Sequence, residues 1–75
     1  MDLSARIAAW RAVRGMSQRA LADKIGVTAG AISQFEGAGK KRSQPSIDTL
    51  NDIIEALGLT TERFYGRVPK TRRAS

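Results

Sequence analysis

The sequence predicts an all-α protein of five helices, and three observations carry that prediction. Apolar residues recur three or four positions apart in each structured stretch, the period of a helix with one buried face. Gly15, Gly26 and Gly58 fall just after such stretches, where a left-handed residue ends a helix. A Ser, Thr or Asp stands before each stretch, ready to accept from the unpaired N–H groups of a first turn, and no candidate strand occurs anywhere.

Length and composition bound what such a chain can do. At 75 residues it is one small domain, and a core of that size leaves only about 3 to 5 kcal/mol of net stability. There is no cysteine or histidine, so neither a disulfide nor the usual zinc ligands can help, and no metal or other cofactor is expected. No run of about 18 apolar residues exists, and the N-terminus lacks the basic-then-apolar order of a secretion signal, so a cytoplasmic protein is expected. The net charge of +6 suggests a polyanionic partner. Its placement is uneven: up to Gly66 the cations nearly balance the seven Asp and Glu, and Arg67, Lys70, Arg72 and Arg73 add the excess.

The first helix is capped by Asp2 or Ser4 and runs to about Arg14, with Leu3, Ile7 and Trp10 as its buried stripe and Arg11 beside it. Trp10 reads as core, its N–H needing a partner, or else as a stacking platform for bases. Ser17 caps the second helix and Met16 is placed to staple inward. Leu21, Ala22 and Ile25 are its apolar side, and Gly26 supplies the positive φ that ends it before Val27 tucks in. Ala22 is small enough to let the next helix come close. That third helix, 28–36, is capped by Thr28 and puts Ile32 and Phe35 on one face. Ala29, Gly30, Ser33 and Gln34 lie mostly on the others, a small, uncharged surface suited to close contact with another molecule.

The register of Ser17-Gln18, Ala22, Gly26, Val27, Ile32, Phe35 and the closing Glu36-Gly37 resembles the Xre-type (Cro and lambda-repressor-like) helix-turn-helix DNA-binding proteins, over residues 3 to 66. The resemblance implies a compact five-helix lambda-repressor-like domain, a helix-turn-helix made by helices two and three, and double-stranded DNA as partner. Helix 28–36 is then the recognition helix in the major groove, with Thr28, Ala29, Gly30, Ser33 and Gln34 at the bases. Gln34 can make the bidentate amide contact to adenine, or it is a solvated helix residue. Ala29 can touch a thymine methyl, and Gly30 lets the backbone approach. Members of the family often carry longer polar residues at these two positions, which shifts readout toward Gln34, Thr28, Ser33 and DNA shape. Ser17 and Gln18, at a helix N-terminus that favours anions, are expected at phosphates. An arginine at the place of Arg11 typically pairs with the glutamate closing the recognition helix, here Glu36.

Residues 37–45 form a loop by their glycines, consecutive cations and final proline. Lys40, Lys41 and Arg42 are a solvated cluster or, beside a recognition helix, phosphate contacts. Ser46 caps a fourth helix whose stripe is Ile47, Leu50, Ile53, Ile54 and Leu57, with Asp48, Asp52 and Glu55 on an outer face directed away from DNA. Thr60 caps a fifth, ending near Tyr65. Phe64 is expected to seal the core. Tyr65 and Val68 cover its edge or, with Phe64, make the two-fold dimer contact that this region often supplies in similar repressors. The domain is thus placed at 1–66, and 67–75 reads as a flexible basic tail.

With no histidine or cysteine and scattered carboxylates, catalysis is set aside. The expected protein is a sequence-specific regulator of transcription, a repressor, binding a palindromic operator as a homodimer, with no membrane and no small-molecule ligand as partner. The alternative is an antitoxin-type interaction module that binds its operator secondarily; the short basic tail, in place of a long apolar arm, ranks it lower.

Overall fold

The computed structural model describes residues 2–37 and 44–69. They form α1 (Leu3–Val13), α2 (Gln18–Ile25), α3 (Ala29–Phe35), α4 (Ile47–Ala56) and α5 (Thr61–Tyr65), with no strand among the described residues. Each helix starts on a side-chain cap, which is why five such short segments hold their ends. Asp2, rather than Ser4, caps α1, its Oδ1 accepting from the Ala5 N–H at 2.8 Å. Ser17 Oγ accepts from Ala20 at 3.0 Å, Thr28 Oγ1 from Ala31 at 3.0 Å, Ser46 Oγ from Thr49 at 3.2 Å and Thr60 Oγ1 from Arg63 at 3.1 Å.

The apolar stripes meet in a single core. Ile7 and Trp10 of α1, Leu21 and Ala22 of α2, Ile32 of α3, Ile53 and Ile54 of α4 with Leu57 just after it, and Phe64 of α5 are all buried. Helix α2 packs on both α3 and α4, while α5 packs on α1 and α4. Trp10 is a core residue: its indole N–H donates to the Phe64 carbonyl at 2.9 Å, which satisfies a buried donor and ties α1 to α5.

Arg6 of α1 and Arg14, its C-cap, perform a similar task at helix ends. Arg6 donates to the carbonyls of Phe64 at 2.8 Å and Gly66 at 2.7 Å, and its guanidinium lies 5.9 Å from the Tyr65 ring centre. Arg14 Nε donates to the Leu57 carbonyl at 2.7 Å. Both satisfy carbonyls that the last turn of a helix leaves without partners, and a cation there also meets the negative end of the helix dipole.

Two expectations are corrected. Ile47 does not join the core and is 78 % exposed; burial rises along α4 from Ile47 through half-buried Leu50 to Ile53, so the stripe begins a turn before the core does. Phe64 is 0 % exposed and cannot face a second molecule, because its side chain is one of the fully buried members of the core that it was also expected to seal. Val68, beyond Gly66, is half-buried against the core. Lys40, Lys41 and Arg42, and the tail from Lys70 onward, lie outside the described residues.

Candidate nucleic-acid interface

The tight turn between α2 and α3 builds the site. Gly26 sits at φ 77° and ψ 32°, a left-handed conformation that strains any residue with a Cβ. That conformation turns the chain so that the Val27 N–H donates back to the Ala22 carbonyl at 3.0 Å, and Val27 packs against the core. Ala22, also buried, leaves room for α3 to cross closely.

Helix α3 is thereby fixed with one side in and one side out. Ile32 is fully buried and Phe35 packs beside it. Thr28, Gly30 and Gln34 are exposed, and Ser33 is half-buried. Ala29 departs from expectation: it packs on the core, because it lies three residues before Ile32 and shares its face. Ala29 is half-buried, as Ser33 is, and the outer surface belongs mainly to Thr28, Gly30 and Gln34. A Cβ built on Gly30 would meet only Thr28 Oγ1, at 3.8 Å. Nothing inside the protein demands glycine there.

Beside this surface, three helices are joined through one carboxylate. Arg11 of α1 grips Glu36 with two parallel bonds, Nε to Oε2 at 2.7 Å and Nη2 to Oε1 at 3.0 Å, while its Nη1 donates to the Met16 carbonyl at 2.7 Å. Gln18 of α2 donates its amide nitrogen to the same Oε1 at 3.0 Å. The hydrogen bond to Glu36, reinforced by its charge, holds the Arg11 guanidinium above its ordinary pKa against the opposing effect of burial. With Glu36 ionised, a raised value of this kind contributes stability at neutral pH, and the contribution is lost as pH rises through the arginine range. The Glu36 side chain is 5 % exposed.

Ser17 and Gln18 stand at the N-terminal turn of α2, with the Ser17 hydroxyl accepting its cap bond. Arg19 is exposed in the same turn, a cation that the helical period alone did not single out, since an arginine on an outward face reads as ordinary solvated surface. Arg6 and Arg14 were equally unmarked: their targets are carbonyls far along the chain, which no local spacing reveals.

Among the described residues there is no group of His, Cys, Asp and Glu able to hold a metal ion, and no helix long and apolar enough to cross a membrane. Tyr65 is 52 % exposed, its ring edge-on to Phe64 at 5.0 Å between centres.

The searches of curated proteins and of solved structures found no match. The family model described as "Helix-turn-helix" matches residues 7–64, from the buried Ile7 to the buried Phe64 and across both helices of the turn. That match spans well over half of the chain and agrees with the all-helical fold, so the chain belongs to the Xre-type (Cro and lambda-repressor-like) helix-turn-helix family of DNA-binding transcription regulators.

Proposed function

We propose that this protein is a sequence-specific repressor that binds a palindromic operator in double-stranded DNA as a homodimer, with the first turn of α3 in the major groove. The observation that carries the reading is the outer surface of α3, where Thr28, Gly30 and Gln34 are exposed while Ile32 anchors the opposite side. A surface with one long amide and little side-chain bulk can approach base edges closely, and Gln34 has the donor and acceptor that adenine N7 and N6 require. Ser17, Gln18 and Arg19 serve the neighbouring phosphates, joined by Lys40, Lys41 and Arg42, which follow α3 in the sequence.

With Phe64 committed to the core, the two-fold contact centres on Tyr65 and Val68. Two copies related in this way would set their recognition helices about 34 Å apart, one turn of the duplex. Repression follows from occupancy, because a bound dimer covers the groove face that a polymerase would need.

Titration of a DNA duplex at several salt concentrations tests the reading. If each protomer neutralises roughly three to five phosphates, log K falls against log salt with a slope of roughly −5 to −9 for the dimer. A slope near zero contradicts it. Fragments selected from a random pool should converge on an inverted repeat, and a single unrepeated site would remove the dimer from the account.

A further inference from the structure

We infer that Glu36 is a positioning residue for DNA binding: its carboxylate, gripped on one side by Arg11, holds the Gln18 amide so that the outer half of that amide meets a phosphate. The inference rests on the reading of this surface as a DNA interface and adds to it a residue that touches no DNA.

Four hydrogen bonds carry the argument. Arg11 uses three of its donors within this network, two on Glu36 and one on the Met16 carbonyl, which immediately precedes the Ser17 cap. Glu36 closes α3 and takes the fourth bond from Gln18, the first residue of α2. One charged group thus fixes the end of α3 against the N-terminal turn of α2. The orientation of the Gln18 amide follows from chemistry: only its NH₂ can face a carboxylate oxygen, since its carbonyl would be repelled. One N–H is used on Glu36, which leaves the second donor of the same planar amide, on a half-buried residue, for a phosphate. A glutamine with freely turning torsions loses rotamer entropy when it binds, and one already held by Glu36 loses less.

Charge alone predicts the opposite behaviour. Glu36 is a negative group close to a polyanion, so removing its charge should strengthen binding if it has no positioning role. The experiment compares the full-length protein with E36Q, Q18A and the double variant, using a mixed-sequence DNA duplex at low salt, with folding of each checked by thermal melting. The expected result is a loss of about three- to tenfold in affinity for E36Q and for Q18A, with E36Q causing little further loss once Gln18 is gone. Unchanged or tighter binding by folded E36Q, or an equal loss in both backgrounds, overturns the inference. Should E36Q not fold, E36D keeps the charge and withdraws it by one methylene, and the same loss is expected.

Failure of the wider reading is distinguishable, because the hold on Gln18 is visible without DNA. In the free protein, the side-chain amide protons of Gln18 should resonate away from those of solvated glutamines and return toward them in E36D. Solvent-like signals in the unsubstituted protein overturn the positioning role even if DNA binds. Held signals in a protein that binds no duplex would instead refute the DNA interface on which the role depends.

Discussion

At Gly30 the fold asks for nothing that alanine would not provide. The residue is helical and exposed, and a methyl would have open space around it. Gly30→Ala should therefore raise stability by about 0.5–1 kcal/mol in urea unfolding while weakening duplex binding, because the added methyl stands between the helix and the base edges. A variant that gains both stability and affinity would show that close approach at this position does not matter. Gln34→Ala should cost about 1–3 kcal/mol at one base position and leave other positions alone, read by comparing single-base operator variants. Uniform weakening across all sequences would remove Gln34 as a base reader. The residues of this surface were legible from helical periodicity, with one instructive failure. Ala29 is small enough to be taken for either face, and the crossing of α3 over the core leaves it half-buried between the two.

At the scale of elements, the caps and the turn could be read directly, because each depends on a residue type at a fixed offset. Ser17, Thr28, Ser46 and Thr60 all cap the helices assigned to them. Ser17→Ala should lower stability by about 1 kcal/mol, seen as a lower melting temperature; an unchanged melt would mean that the Ala20 N–H finds water at no cost. What periodicity cannot contain is where a helix ends relative to the rest of the molecule. Ile47 fits its stripe and still faces solvent, and Arg6 and Arg14 look like surface cations while they close the ends of α5 and α4. This matters for DNA, since those two arginines are engaged on carbonyls, whereas among the described residues no hydrogen bond or ion pair holds Arg19. Arg19→Ala should weaken all duplexes alike and make the salt slope shallower by about one. An unaltered slope would place α2's first turn away from the phosphates.

For the molecule as a whole, the family match and the fold agree because a chain this short has few ways to bury its stripes. The core is small, with no disulfide available to support it. Truncating fully buried Ile53 to alanine should cost about 2–5 kcal/mol, comparable to the entire stability of such a domain, so that much of the protein is unfolded at room temperature. Circular dichroism would check this, and a cooperative native-like melt would mean that the core is far larger in energy than its size suggests. The dimer contact is the part least legible in the sequence: Phe64 was expected both to seal the core and to share a dimer contact with Tyr65 and Val68, and its full burial keeps only the first. Groove reading by α3 requires that its side of the molecule meet the duplex. Amide chemical-shift mapping during a DNA titration measures that most directly. The largest changes should fall on Ser17 to Arg19 and Thr28 to Gln34, with Asp52 and Glu55 on the outer face of α4 unmoved; changes centred on α4, with α3 silent, would contradict it.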